Sequence, residues 1–390
     1  MKRALVVGGN SGIGLAVVLK LLDEKYEHVY IVGKDEPILS DIPMGYTQMY
    51  NERVSFFRIN LVSEQYDVFD EINGIDTLVI TAGFGRVAPF EDLTEIEITN
   101  LIKCNELGAM RIVKKYYDKI NSQNDFNCEI MGSIAGHVAS PLFSVYGASK
   151  MGLCGFIENI NAELNATGCK NRILDVSPGS IGGTKFHGGE NNMEEIMGLA
   201  EEIVKRMRNK ETLYIPEYDE VFKGVIERYK QEPEKYALES YEYKIKNGRI
   251  ATKPQVTVGY LSGTFDLFHI GHLNLLKRAK EQCDYLVVGV HESGAWKGKE
   301  TFIPFEERAE IVRNVKYVDK VIKSFPEDSD AHDVIKYDKL FVGSDYKNSE
   351  RFMRYEEILK KKGVEIVYFP YTKGTSSTQL REKINKNKDN

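Results

Sequence analysis

The chain has 390 residues, 42% hydrophobic and 28% charged; the length favours two or three domains, and the composition excludes a disordered, collagen-like or disulfide-stapled chain. Its 52 basic and 58 acidic side chains leave a net charge of −6, without the basic footprint of a general nucleic-acid binder. Local lysines and arginines remain available to hold small anions.

Short runs rich in Val and Ile alternate with helical patterns, which predicts βαβ units and parallel sheets. The fold class expected is α/β, with two doubly wound, Rossmann-like parallel-sheet domains in tandem. Strands are predicted over residues 4–7, 28–32, 54–59, 77–81, 128–133 and 172–177, with a seventh over 212–216. Helical stretches lie between most of them, for example 12–24 and 151–166. The charged, tyrosine-rich segment 233–254 interrupts the rhythm and predicts a linker or small connecting hairpin. Strands resume over 255–260, 286–290, 339–342 and 365–369. The domains expected are thus 1–232 and 255–385, joined by 233–254 and followed by a polar tail, 386–390.

Five cysteines (Cys104, Cys128, Cys154, Cys169, Cys283) are odd in number and make no CxxC pair. They read as packing residues of a protein in the reducing cytoplasm. No apolar run reaches 18 residues, so no membrane partner is expected.

The first strand runs into Gly8-Gly9-Asn10-Ser11-Gly12-Ile13-Gly14 and a helix. Glycines let backbone approach a pyrophosphate, and the helix start offers N–H groups and a positive dipole end. Lys34 follows the second strand, where a cation suits the 2′-phosphate of NADP, so NADPH is the cofactor expected. Tyr146 and Lys150, at i and i+4, share a helix face. A neighbouring cation favours phenolate and should lower the Tyr146 pKa toward working pH, making Tyr146 a general acid for a carbonyl oxygen. Ser133, at a strand end, is placed to bond the same oxygen.

Together these residues resemble the short-chain dehydrogenase/reductase family over roughly residues 1–230. The resemblance implies cofactor contacts at Gly8, Asn10, Ser11, Gly12, Ile13, Gly14, Lys34, Asn60, Leu61, Ala82, Gly83, Tyr146, Lys150, Pro178 and Gly179, and catalytic roles for Asn105, Ser133, Tyr146 and Lys150. Val7 replaces the Thr that usually opens the glycine motif, and Ile80-Thr81 replace an Asn pair. Beyond Pro178, Lys185 and His187 are candidate ligands for a substrate phosphate in a glycine-rich loop. The resemblance also implies a homo-oligomer formed through this domain.

The second half carries Gly263-Thr264-Phe265-Asp266-Leu267-Phe268-His269-Ile270-Gly271-His272 between a strand and a helix. His269 and His272, three apart, can converge on one phosphate with the helix start behind them. Zinc ligation would need further ligands, and no Cys or carboxylate stands at matching spacing. Lys297, Lys299 and Arg308 supply cations downstream, and Ser376-Ser377-Thr378 opens a final helix.

This half resembles the HxGH nucleotidyltransferases of the glycerol-3-phosphate cytidylyltransferase type over roughly 255–385. The resemblance implies catalytic roles for His269, His272, Lys299 and Arg308. It implies CTP contacts at Gly263, Thr264, Phe265, His269, His272, Lys297, Lys299, Asp345, Ser376, Ser377 and Thr378, with Mg²⁺ on the departing pyrophosphate. Tyr371 stands where the glycerol enzymes have an Arg.

The two resemblances imply consecutive steps: NADPH-dependent reduction of a keto-sugar phosphate, then CTP-dependent activation of the alditol phosphate for cell-surface polymers. D-Ribulose 5-phosphate leading to CDP-ribitol is the first expectation, and dihydroxyacetone phosphate leading to CDP-glycerol the second. A non-catalytic NADP-binding regulatory module in the first half, and ATP in place of CTP in the second, are the alternatives.

Overall fold

The computed structural model describes residues 2–63, 66–184, 186, 190–251, 256–294, 300–370 and 379–381. The chain divides into two compact units, Met1–Gln255 and Val256–Asn390.

The first unit holds seven strands: β1 Arg3–Val7, β2 His28–Gly33, β3 Val54–Arg58, β4 Thr77–Ile80, β5 Asn127–Met131, β6 Ile173–Val176 and β7 Leu213–Tyr214. They pair in parallel in the order β3-β2-β1-β4-β5-β6-β7. Ala4, Leu5, Val6 and Val7 have no exposed surface, as expected of a central parallel strand covered on both faces. Val6, Val79 and Leu174 face a core shared with the helices Gly12–Asp23 and Met193–Arg208. Leu5, Val7, Leu78 and Ile130 face one shared with the helices Gly108–Ile120 and Ser144–Ala166. Strand order reverses at β1, between β2 and β4, and such a reversal opens a crevice at the carboxyl ends of the strands.

The second unit repeats the plan with β8 Val258–Gly263, β9 Tyr285–Val290, β10 Lys320–Lys323, β11 Lys339–Gly343 and β12 Glu365–Phe369. All pair in parallel, in the order β10-β9-β8-β11-β12. Its crevice lies where β8 meets β11.

Two expectations change. Residues 233–246, read as linker or hairpin, form the helix Pro233–Lys246, with Pro in its first turn and Lys244 and Lys246 in its last. Lys244 Nζ donates to Ser140 Oγ at 2.8 Å and to the Pro141 carbonyl at 2.6 Å, and Ala251 N–H donates to the Val87 carbonyl. These bonds attach the segment to the first unit. Strand β10 was not anticipated: its four residues, KVIK, put two half-buried apolar side chains between exposed lysines. All five cysteines are free, and all but Cys104 are buried. Among the described residues no helix is long and apolar enough to cross a membrane.

Candidate active sites

The first site gathers at the ends of β4 and β5. Asn105 lies in a wide, π-type turn, Lys103–Leu107, between two helices. Its Oδ1 accepts from Phe84 N–H at 3.0 Å, and its Nδ2 donates to the Phe84 carbonyl at 2.8 Å and Ser149 Oγ at 3.2 Å. The amide therefore fixes the backbone just past Ala82-Gly83. Ser133 follows β5; its Oγ accepts from Ala135 N–H and bonds the Tyr146 phenol. Tyr146 and Lys150 are one turn apart in Ser144–Ala166, with Lys150 Nζ 5.8 Å from the Tyr146 ring centroid. Lys150 Nζ donates to the Met131 carbonyl at 2.7 Å.

The electrostatics run against the expectation that Lys150 lowers the Tyr146 pKa. Burial pushes the phenol up to about 12; Ser133 pulls it down and Cys154 adds to the rise. Burial also holds the Lys150 amine below its ordinary value. Desolvation outweighs the cation because Phe143 and Phe186 pack on the tyrosine ring, and a Cβ at Gly85 would stand only 2.6 Å from it. Tyr146 is thus a protonated phenol, the form that donates a proton.

The glycine turn sits at the carboxyl end of β1, beside the reversal. Gly8 has φ +88, and a Cβ there would lie 2.6 Å from Ala82 N; one at Gly14 would lie 2.2 Å from the Gly8 carbonyl. Both glycines are required by backbone packing within the turn. Gly12, at the helix start with φ +52, would bring a Cβ into ordinary contact with Thr184 and Asn191, at 3.8 and 3.9 Å. Ser11 is the N-cap, Ile13 packs on the core, and Asn10 Oδ1 lies against Gly33. Gly12 N–H donates to Asn191 Oδ1 at 3.2 Å, and Asn191 Nδ2 donates to Asp41 Oδ2 at 2.6 Å. Lys34, at the end of β2, has Arg58 beside it: the guanidinium donates to the Lys34 carbonyl and pairs with Glu36 at 3.1 Å. Asn60 Oδ1 accepts from Val62 N–H, and Leu61 is buried. The Pro178 carbonyl accepts from Ile134 N–H, and Gly179 packs on the Phe222 ring. Lys185 and His187 lie outside the described residues.

In the second unit, Gly263 ends β8 and Phe265 is buried with φ +53. Strained non-glycine backbone of this kind persists only where its surroundings over-determine it. Asp266, buried, accepts from Phe302 N–H, Ile303 N–H and Arg381 Nη2. His269 is the N-cap of the helix Ile270–Lys280. Its Nδ1 accepts from Gly271 N–H at 3.0 Å, and His272 Nδ1 accepts from His269 N–H at 3.4 Å. With both Nδ1 atoms accepting, each neutral ring carries its hydrogen on Nε2. The rings stack with centroids 4.0 Å apart, and burial holds His269 below the ordinary histidine value. The result is a pair of neutral N–H donors at a helix N-terminus, suited to phosphate oxygens.

Arg308 departs from its expected catalytic role. It is fully buried, and its guanidinium donates to the carbonyls of Ile303, Thr264, His291 and Glu292. It holds the loops around the crevice together. Asp345 is exposed in a short turn just past β11, the strand next to β8, on the crevice side of the sheet. Lys297, Lys299, Tyr371, Ser376, Ser377 and Thr378 lie outside the described residues. Arg381 bonds both Asp266 and the Glu300 carbonyl, tying the first described residues after those two segments to the histidine loop.

Residues 2–195 match the family described as short chain dehydrogenase, and residues 260–383 the family described as cytidylyltransferase-like. The glycerol-3-phosphate cytidylyltransferase of Bacillus subtilis is 36% identical over 126 residues, 31% of this chain and 92% of the relative. The chain belongs to both families, one in each unit. An uncharacterized oxidoreductase of Staphylococcus epidermidis is 26% identical over 214 residues, 52% of this chain and 89% of the relative. The FAD synthase of Thermococcus kodakarensis is 39% identical over 127 residues, 30% of this chain and 81% of the relative.

The protein therefore joins an oxidoreductase domain to a nucleotidyltransferase domain. In the dehydrogenase domain the structure brings Asn105, Ser133, Tyr146 and Lys150 together with the glycine turn. Sequence reading missed four residues around Ser133: His137, Cys154, Asp175 and Ser177. The signal for His137, Asp175 and Ser177 was proximity to Ser133 or to the Pro178-Gly179 pair, and for Cys154 its place one turn after Lys150 on the same helix. In the cytidylyltransferase-like domain it missed Asp266 and Arg381, whose pairing spans 115 residues.

Proposed function

We propose that the chain catalyses two consecutive steps: reduction of a keto-sugar phosphate to an alditol phosphate with NADPH, then transfer of a cytidylyl group from CTP to give a CDP-alditol and pyrophosphate. The observation that carries the reading is the presence, on one chain, of a protonated Tyr146–Ser133 pair beside a glycine turn and a paired-imidazole phosphate site.

A nicotinamide cofactor fits the first unit, since the glycine turn and helix start suit a pyrophosphate, which would take the place of Asn191 on the Gly12 N–H, and Lys34 with Arg58 suits a 2′-phosphate. When bound, it supplies hydride to the carbonyl carbon. Tyr146 delivers its phenolic proton to the carbonyl oxygen, and Ser133 holds that oxygen in line. Lys150 and Asn105 fix the helix and the turn that place Tyr146.

In the second unit a phosphate oxygen of the alditol phosphate attacks the α-phosphorus of CTP, and the bond to the pyrophosphate oxygen breaks. His269 and His272 donate from Nε2 to the α-phosphate oxygens as charge builds. Mg²⁺ is expected to travel with the triphosphate, since Asp266 already accepts from three donors. Lys297, Lys299, Asp345, Ser376, Ser377 and Thr378 complete the expected nucleotide contacts.

The five-carbon pair, D-ribulose 5-phosphate to CDP-ribitol, is the first substrate reading. The three-carbon pair, dihydroxyacetone phosphate to CDP-glycerol, is the second; the acceptor in the name of the Bacillus relative favours it. The product class suits cell-surface polymer synthesis in the cytoplasm. NADPH oxidation against a panel of keto-sugar phosphates, with CTP and ATP competed in the same mixture, tests the reading. No nucleotide-dependent pyrophosphate release with any alditol phosphate would reject the transferase half. Light scattering of the same preparation tests the homo-oligomer expected through the first unit.

A further inference from the structure

Ser133 sits on a buried polar hub that the reductase chemistry does not otherwise use. The centre of the hub is Ser177, the last residue before Pro178. Its Oγ is 2.7 Å from Asp175 Oδ1, a carboxylate oxygen that only accepts, so the hydroxyl hydrogen points there. The same oxygen then accepts from Ser133 N–H at 3.1 Å and from His137 Nε2 at 3.0 Å. His137 Nε2 must therefore carry a hydrogen. Cys154 Sγ is the fourth neighbour, at 3.7 Å. The ligand atoms of His137, Cys154 and Asp175 lie within 4.8 Å of one another, and Ser177 Oγ touches all three.

The hub is clamped on the backbone beside Ser133. A Cβ at Gly132 would stand 2.3 Å from Asp175 Oδ1 and 2.4 Å from Ser177 Oγ. One residue beyond, Ile134 N–H donates to the Pro178 carbonyl at 2.9 Å. The exit of β6 therefore grips three consecutive residues, Gly132, Ser133 and Ile134, just past β5. Ser133 in turn bonds the Tyr146 phenol.

We propose that Ser177, anchored by Asp175 and His137, is a positioning residue for Ser133, and through it for the proton transfer from Tyr146. The proposal rests on the reductase reading above. None of the hub residues touches the reacting atoms, so they act on rate and leave binding alone. Misplacement of a positioned group by about an ångström costs up to about a hundredfold in rate. Loss of one of the bonds that hold Ser133 sets the expectation at about tenfold.

The test uses the full chain with Ser177→Ala, His137→Leu and His137→Gln. Gln keeps an N–H donor at the His137 Nε2 position; Leu removes it. Ser177→Ala should lower kcat for carbonyl reduction about tenfold, with KM and the NADPH Kd within about twofold and the cytidylyl transfer rate unchanged. His137→Leu should lose kcat in the same way, and His137→Gln should restore most of it. Hydrogen exchange at the Ser133 amide should quicken about tenfold in Ser177→Ala, and more in His137→Leu than in His137→Gln. Exchange reads the hub even if no keto-sugar phosphate is reduced, a result that would overturn the reductase reading and leave the hub standing. An unchanged amide in the variants, equal kcat in the Leu and Gln variants, or a parallel fall in transferase rate would overturn the proposal. If Ser177→Ala fails to fold, the two His137 variants decide.

Discussion

Arg308→Leu separates a structural clamp from a phosphate ligand. The guanidinium has no exposed surface and donates to four carbonyls, those of Ile303, Thr264, His291 and Glu292. A hydrogen bond from a charged donor contributes roughly 1.5–3 kcal/mol. Four summed independently reach about 6–12 kcal/mol, an upper bound, because freed carbonyls recover part by admitting water. A net loss of about 4 kcal/mol is the expectation, a large share of a domain stability of roughly 5–15 kcal/mol. With a urea slope of about 2 kcal/mol/M, the midpoint of the second unit should fall by about 2 M. Arg308→Lys should fall less, since an ammonium offers three donors without the fork. Urea unfolding followed by circular dichroism, with pyrophosphate release on the same samples, measures both effects. An unchanged midpoint with a hundredfold fall in transferase kcat would refute the clamp and restore a direct role at the phosphates.

Gly85→Ala should cripple reduction and spare cytidylyl transfer, because a Cβ there would meet the Tyr146 ring at 2.6 Å; equal NADPH oxidation by variant and wild type would contradict this. Burial, with Arg249 adding repulsion, pushes the Lys244 amine down to about 8 from an ordinary 10.5. Between these values the unfolded chain binds the proton better, so the stability from the neutral amine is full above 10.5 and lost as pH falls through about 8. The melting-temperature difference, wild type minus Lys244→Met, should therefore rise from pH 8 to pH 10; a flat difference would contradict the burial.

Much of the fold was legible because the central strands are uninterrupted apolar runs, and a strand covered on both faces must be. The motifs were legible because they occupy strand ends, where sequence and function coincide: Gly8 to Gly14, Ser133, and His269 with His272. What stayed hidden depends on burial. The direction of the Tyr146 shift follows from Phe143, Phe186 and Gly85 closing on the ring; Phe143 is three residues away, but Phe186 and Gly85 are far off in sequence. Arg308 lies among glutamates in Phe305–Arg313 and reads as a surface cation until four carbonyls are seen around it. The helix Pro233–Lys246 lacks an apolar stripe; its one buried residue is Lys244, so periodicity had nothing to register. Ser177 lies 44 residues from Ser133 and carries no motif of its own.

The central claim is that two sites act in order on one metabolite. The most direct measurement is CDP-alditol formation from a keto-sugar phosphate, NADPH and CTP by Tyr146→Phe and by His269→Ala. The first variant should make no product until alditol phosphate is added, and then match wild type. The second should oxidise NADPH normally and accumulate alditol phosphate. Undiminished product from the keto-sugar phosphate with Tyr146→Phe, or no rescue by alditol phosphate, would contradict the account.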